Sequence, residues 1–172
     1  MRIRTLDRLQ DVRSLDGLLE EYIRFVTDDL ERAFGVSFDP DVLLAVTLST
    51  LDKVVPPKGH TFVAEDTHGT VLGMAFLRPS GADAMEIKRL YVPPGGRGHG
   101  IGRALVSAAL NATRQAGAKA LRLESTRNLE AAIALYRDLG FVERDAYPES
   151  DHFEDPILGP CLTFMEKRLD EA

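Results

Sequence analysis

The chain has few of the features expected of a secreted or membrane-bound protein. Cys161 is the only cysteine in 172 residues, so an internal disulfide is excluded. No uninterrupted apolar run approaches the roughly 18–20 residues that a membrane span needs. The first residues also lack the apolar segment of a secretory signal. We therefore expect a cytoplasmic protein with no membrane partner.

Clustered positive charge is missing as well. The formal net charge is −6, and no long basic block occurs. Binding to nucleic acid needs a concentrated positive surface that neutralises phosphates, so nucleic acid is not expected as a partner. An acidic surface would suit a cationic amine ligand, although surface charge also serves solubility. With 44% hydrophobic residues, the chain is long enough for one domain with a full core.

The most informative feature that is present is a cluster of five glycines within residues 95–102. An apolar, strand-like run, 87–92, precedes the cluster and ends at Pro93 and Pro94. Apolar residues at helical spacing follow it. A strand, a glycine loop and a helix N-terminus in that order form an anion site, because exposed N–H groups and the helix dipole both favour phosphate.

The spacing of the glycines excludes two familiar nucleotide motifs. A Walker A loop requires Gly-Lys after four intervening residues, but Gly95 leads to Gly100-Ile101 and Gly98 leads to Arg103. The Rossmann pattern G-x-G-x-x-G fails too, because its third glycine position holds Arg103 or Ile101 in the two available registers. The loop therefore belongs to another kind of phosphate site.

Hydrophobic periodicity and turn residues divide the rest of the chain into short elements. Strands are predicted at residues 2–6, 60–66, 70–77, 84–92, 118–124, 141–144 and 161–168, with Cys161 as a buried strand thiol. Helices are predicted at residues 9–30, 39–51, 100–116 and 129–139, the second of them capped by Asp39 and Pro40. This order predicts an α+β fold with a mixed sheet.

Three segments together resemble the GNAT superfamily of N-acetyltransferases, which bind acetyl-coenzyme A. Residues 97–102 fit the pattern Arg/Gln-x-x-Gly-x-Gly/Ala of the pyrophosphate loop in that family. The run 86–92 resembles its cofactor strand, and 132–141, with the sequence AIALYRDLGF, resembles its late helix and following turn. The resemblance covers roughly residues 60–168.

The resemblance implies a three-layer α/β/α fold. Its mixed, mostly antiparallel sheet would have two middle strands that splay apart, with coenzyme A entering the gap. The chain, 1–172, would form one domain, in which 1–55 supply the first strand and the acceptor-side helices and 60–168 the cofactor-binding core. No metal is expected, and a homodimer stays open.

The implied activity is transfer of an acetyl group from acetyl-CoA to a primary amine, expected to belong to a small molecule. Direct attack in a ternary complex is expected, because Cys161 has no recognisable base beside it for a covalent intermediate. Two alternatives stay open: a protein or peptide N-acetyltransferase, and a non-catalytic acyl-CoA sensor domain.

The resemblance also assigns cofactor contacts. The backbone of Leu90, Tyr91 and Val92 would lie beside the pantetheine and the acetyl group. The pyrophosphate would bind the N–H groups of the loop, formed by Arg97, Gly98, His99, Gly100, Ile101, Gly102 and Arg103. A further family contact, an asparagine seven residues before the helix tyrosine, falls on Leu129 here. Asn128 is one residue earlier, either as a shifted pantetheine contact or as a helix N-cap.

Two residues are candidates for proton transfer. Tyr136 matches the family tyrosine that points at the coenzyme sulfur, although tyrosine at this spacing also serves as a core aromatic. Glu86, on the cofactor strand, is the first candidate for the base, against the alternative of a surface glutamate. His152 and Asp151 are the second-line candidates.

The acceptor would lie against residues 10–51 and 145–160 in this family. Those segments contain an aromatic and acidic set suited to a cationic small amine, or else ordinary amphipathic faces. The set consists of Tyr22, Phe25, Asp28, Asp29 and the residues from Glu149 to Asp155.

Overall fold

A computed structural model describes residues 1–169, and their strands form one sheet of seven strands. The strands are β1 Arg2–Leu6, β2 His60–Glu65, β3 Val71–Pro79, β4 Ala84–Tyr91, β5 Ala120–Thr126, β6 Val142–Arg144 and β7 Leu162–Arg168. Their order in the sheet is β1-β2-β3-β4-β5-β7-β6, and only β4 and β5 pair in parallel. The predicted mixed, mostly antiparallel sheet is confirmed.

Helices cover both faces of the sheet. They are α1 Leu9–Arg13, α2 Asp16–Phe34, α3 Pro40–Ser49, α4 Ile101–Gln115 and α5 Glu130–Asp138. One buried cluster contains Leu105 of α4 and Ile133 of α5, and the other contains Val12 of α1 and Leu19 of α2. These two cores on opposite faces confirm the three-layer architecture. Within residues 1–169, no helix is both long and apolar enough to cross a membrane.

The prediction of one helix over residues 9–30 is wrong in one respect, because the structure has two helices there. α1 ends where the Ser14 hydroxyl donates to the carbonyl of Asp11 at 2.6 Å, a local bond that competes with helix continuation. Val12, Leu15 and Leu19 are nevertheless all buried, at spacings of three and four residues. The apolar periodicity therefore runs across the break and conceals it.

The predicted cap of α3 is confirmed, since the Asp39 carboxylate accepts from the backbone N–H groups of Asp41 and Val42. The helix ends at Ser49 and not at Leu51, because a short 3₁₀ turn, Leu51–Val54, follows and buries both its end residues.

The placement of Cys161 in a strand is wrong by one residue. The thiol is buried, but it lies in the turn Gly159–Cys161 directly before β7.

The sheet opens at its parallel pair. β4 and β5 pair from Ala84 with Ala120 as far as Ile87 with Leu123, and no further, whereas β5 stays paired with β7 up to Thr126. At this point Arg89 adopts φ +54°, in the left-handed region, and the register between β3 and β4 shifts. This bulge turns β4 away from β5, and the expected central splay is confirmed.

Candidate active site

The divergence of β4 and β5 leaves a cavity of about 190 Å³. Its walls are the ends of the two strands, Lys88–Tyr91 on β4 and Leu123–Thr126 on β5, together with α2, α5 and the chain before β7. A gap between two strand ends in the middle of a sheet is a common place for a ligand, because side chains from several elements converge there.

The glycine loop follows β4 directly. Gly98 and Gly100 adopt φ +79° and +77°, and α4 begins at Ile101. The backbone N–H groups of residues 98–103 donate to no acceptor in the described part of the chain, since the first helical bond runs from Ala104 N to Gly100 O. These free donors and the helix dipole together make a strong anion site.

Side chains near this loop hold its shape. Arg97 Nε donates to the carbonyl of Val92 at 3.1 Å, and its Cζ lies 4.9 Å from the ring centroid of Phe25. His99 Nδ1 lies 2.9 Å from the Arg97 carbonyl. The Arg103 guanidinium pairs with Asp138 at the end of α5. The donors that this loop leaves free of partners within residues 1–169 are therefore its backbone N–H groups.

Tyr136 lies on α5 and lines the cavity. Its side chain is buried and packs on Phe141, with ring centroids 6.0 Å apart. The hydroxyl makes no hydrogen bond to any residue from 1 to 169. Burial, reinforced by the nearby Tyr22, raises the pKa of Tyr136, so the phenol stays protonated and can donate.

Glu86 is fully buried and lies outside the cavity lining. Arg78 donates to its Oε2 from Nε and Nη2, at 3.0 and 2.9 Å, and the Tyr147 hydroxyl donates to its Oε1 at 2.6 Å. Lys88 Nζ stands 3.7 Å from the same Oε1. A carboxylate with both oxygens engaged is poorly placed to accept a proton from a substrate. Glu86 as the base stays a prediction, and its contacts argue against it.

A second carboxylate, Glu124 of β5, does line the cavity beside His152. His152 Nδ1 lies 3.1 Å from Glu124 Oε1, Ser150 Oγ donates to Oε2 at 2.7 Å, and Lys88 forms an ion pair with Oε1. Burial disfavours the charged form, but the bond from His152 and the charge of Lys88 hold the pKa of Glu124 well below its usual range. A stable carboxylate that accepts from Nδ1–H leaves Nε2 of His152 as the proton acceptor.

The sequence analysis named His152 but missed Glu124. Strand alternation showed only that Glu124 ends a buried strand. Its approach to His152 depends on where the loop before β7 returns to the sheet, which no local pattern encodes.

Gly73 on β3 was missed as well. A Cβ there would lie 2.8 Å from the carbonyl oxygen of Tyr91, so glycine permits the close approach of β3 to the bulge.

The predicted acidic set does not gather at the cavity. Asp151 pairs with Arg78 at 2.9 Å and with Lys88 at 3.2 Å, and Glu149 pairs with Arg122 at 3.3 Å. The aromatic members of that set, Tyr22 and Phe25, do line it. The cavity is therefore more aromatic and less acidic than the sequence indicated.

Asn128 joins the β5–α5 turn to α2. Its Nδ2 donates at 2.7 Å to the buried carboxylate of Asp29, which also pairs with Arg32. The N-cap of α5 is Leu129, and no side chain caps it, so the N-cap interpretation of Asn128 is wrong. A contact from Asn128 to pantetheine stays a prediction.

Comparison with known proteins agrees with this geometry. The sequence profile of the Acetyltransferase (GNAT) family matches residues 23–141. An uncharacterized N-acetyltransferase of Schizosaccharomyces pombe is 30% identical, over 94% of this chain and 91% of its own length. An IAA acetyltransferase of Azospirillum brasilense is 33% identical, over 88% and 93%. The yncA protein of Salmonella typhimurium, solved with its cofactor acetyl-CoA, has the same fold, with a TM-score of 0.65, 24% identity and coverage of 100% and 95%. The chain belongs to the GNAT family of acetyltransferases.

Proposed function

We propose that this acetyltransferase transfers the acetyl group of acetyl-CoA to the primary amine of a small molecule. The observation that carries the proposal is the continuity of the site. β4 leaves its partner β5 at Ile87, opens a cavity, and leads directly into a glycine loop whose N–H groups at 98–103 have no acceptor within residues 1–169. The glycine-loop end of this path suits a pyrophosphate, and the cavity end suits a thioester.

The donor would bind mainly through backbone groups. The pyrophosphate would accept from the N–H groups of residues 98–103. The pantetheine would run along Leu90–Val92, on the edge of β4 that faces β5 and has no strand partner beyond Ile87. An unpaired strand N–H in this stretch would donate to the thioester oxygen as negative charge develops there.

The proton steps follow from the cavity lining. The amine must reach the thioester as a free base, since an alkylammonium with a pKa near ~10 is not a nucleophile. We assign its proton to Nε2 of His152, which Glu124 orients through Nδ1–H. The amine nitrogen then attacks the thioester carbonyl carbon, a C–N bond forms, and the C–S bond breaks. Tyr136 would supply its phenolic proton to the departing thiolate, and the second proton that the nitrogen loses as the amide forms would return to the Tyr136 phenolate.

Glu86 is the competing candidate for the base. In the arrangement proposed here it instead fixes Arg78 and Tyr147, and through them the loop before β7 that bears His152. The two assignments predict different variants to be inactive. Glu86→Gln would weaken the fold more than the chemistry, whereas His152→Gln would weaken the chemistry more than the fold.

The size of the site favours a small acceptor. The cavity lies between α2, α5 and the chain before β7, and its volume of about 190 Å³ accommodates a small amine. Family membership does not choose the acceptor, because other similar proteins are named for streptothricin or for the alanine of ribosomal protein bS18. The cytoplasmic location and the single-domain organisation stay predictions.

The test is a thiol-release assay with acetyl-CoA and a panel of amines, with the N-acetyl product identified by mass spectrometry. The proposal expects amine-dependent release and a product heavier by one acetyl group. Release that depends on a peptide N-terminus alone would favour the protein-acetylating alternative. Tight acetyl-CoA binding without turnover of any acceptor would favour the sensor alternative.

A further inference from the structure

Arg89 is the residue of the cavity that the proposed chemistry leaves unused. Its Nη2 donates to Thr47 Oγ1 at 3.2 Å, and its Cζ lies 5.9 Å from the ring centroid of Tyr22. Nε is buried without any hydrogen-bond partner. Within residues 1–169, no carboxylate lies within ion-pair distance of this guanidinium. Buried polar groups in native proteins are nearly always satisfied, so an unpaired guanidinium at a cavity indicates a missing partner.

The backbone at Arg89 strengthens this reasoning. The residue sits at the bulge of β4 with φ +54°, in the left-handed region that is strained for a residue with a side chain. The bulge turns β4 away from β5, and Arg89 is one of the residues that line the cavity that opens there. The fold thus retains a strained arginine beside the proposed position of the thioester.

The charged side chains of the cavity differ in their pairing. Lys88 forms ion pairs with Glu124 and with Asp151, whereas Arg89 forms none with a carboxylate of residues 1–169. A second polar atom, the buried Thr126 Oγ1 on the β5 side of the cavity, also lacks a partner among these residues. An anionic ligand would supply a counter-charge for Arg89, whereas a diamine would add a further unpaired cation.

The remaining wall is apolar. The cavity is lined on the helix side by aromatic and aliphatic side chains, namely Tyr22, Phe25, Val26, Leu30, Phe38 and Leu43. A ligand that fits must combine an anionic group with an apolar body. Because the acceptor must also carry the amine that is acetylated, it combines an amine, an anionic group and an apolar body.

We infer that Arg89 binds a carboxylate of the acceptor, which is therefore an apolar α-amino acid or a similar amine with a carboxylate. Guanidinium and carboxylate pair through two parallel hydrogen bonds, which fixes the amine relative to the thioester as well as binding it. The inference rests on the proposed function and revises the expectation of a cationic acceptor. It specifies the chemical class of the acceptor, and it does not change the proposed acetyl donor or the proposed proton transfers.

The test compares acceptors that differ only in the carboxylate. Phenylalanine and leucine are assayed beside their amides and their decarboxylated amines, with wild type, Arg89→Gln and Arg89→Lys. The control is Arg114→Gln, an exposed arginine of α4 whose side chain bonds only Asn111 in the described part of the chain. Dividing the carboxylate-to-amide ratio of kcat/KM in wild type by that in each variant cancels the different basicities of the amines.

For Arg89→Gln the inference expects the carboxylate-to-amide ratio of kcat/KM to fall by about 10- to 100-fold relative to wild type, the usual effect of a charge-assisted hydrogen bond. The KM for acetyl-CoA should not change, Arg89→Lys should recover part of the ratio, and Arg114→Gln should match wild type. Thermal unfolding identifies any variant that fails to fold. Calorimetry with the N-acetyl amino acid product and CoA measures binding at the carboxylate site in the absence of turnover.

Two results overturn the inference alone. One is wild-type turnover of the decarboxylated amines and amides as efficient as that of the amino acids. The other is an Arg89→Gln variant that weakens both classes equally or raises the KM for acetyl-CoA. If wild type turns over no amine at all, the proposed function fails. In that case the inference is supported only if wild type, and not Arg89→Gln, binds the N-acetyl amino acid.

Discussion

Replacing single glycines of the segment 95–102 by alanine distinguishes an effect of backbone conformation from an effect of steric crowding. Gly98 has φ +79°, and a Cβ built on it meets no atom within 4 Å. Gly95 also has open space around its Cβ, but its φ lies outside the left-handed range. The two substitutions therefore add the same methyl group to the same glycine-rich segment, and of the two only Gly98→Ala creates backbone strain.

The expected magnitude follows from that difference. A side-chain-bearing residue in the left-handed region costs about 1–2 kcal/mol. The free loop can relax to avoid this cost, but the complex needs the N–H groups aligned on the pyrophosphate. The cost should therefore appear in the affinity for acetyl-CoA, as a Kd about 5- to 30-fold weaker for Gly98→Ala. Gly95→Ala should bind within about twofold of wild type.

Isothermal titration with acetyl-CoA measures both affinities, and thermal unfolding reports whether either variant has lost stability. The reasoning would be refuted by a Gly98→Ala variant that binds acetyl-CoA as wild type does. Equal loss of affinity in Gly95→Ala and Gly98→Ala would also refute it, because steric crowding of the cofactor would then explain both.

Three further predictions concern the cavity. His152→Gln should lower kcat by about 10²-fold or more, while His68→Gln, in an exposed turn, should leave kcat unchanged. Tyr136→Phe should lower kcat in steady-state assays without lowering the unfolding temperature, because its hydroxyl bonds no described residue. The folded-state pKa of Glu124 is lowered, so its contribution to stability is present above the ordinary value of 4.5 and is lost as the pH falls below it. The unfolding temperature of wild type should therefore drop more steeply below that pH than that of Glu124→Gln, and parallel curves would contradict this.

Features encoded locally could be predicted from the sequence. The Asp39 cap and the strand–glycine loop–helix unit each depend on a few consecutive residues, and the structure has both. The break between α1 and α2 could not be predicted, because Val12, Leu15 and Leu19 keep helical spacing across it. Hydrophobic periodicity indicates which face of a helix is buried. It does not indicate a turn after which the same face stays buried.

The candidate site was predicted less completely, since it depends on contacts between distant segments. Glu86 looked like an available carboxylate, yet its partner Arg78 lies opposite it on β3 and Tyr147 reaches it from the loop before β7. Glu124 and His152 are 28 residues apart. Such pairs are set by strand register and by the return path of a loop, which the local pattern of one sequence does not encode.

The central claim is that the gap between β4 and β5 brings acetyl-CoA and an amine together for direct transfer. The most direct measurement is detection of the N-acetyl product by mass spectrometry after incubation of the protein with isotope-labelled acetyl-CoA and an amine panel. The account predicts a labelled product whose formation needs both substrates and falls in His152→Gln. No labelled product from any amine, with acetyl-CoA in excess and the protein folded, would contradict it.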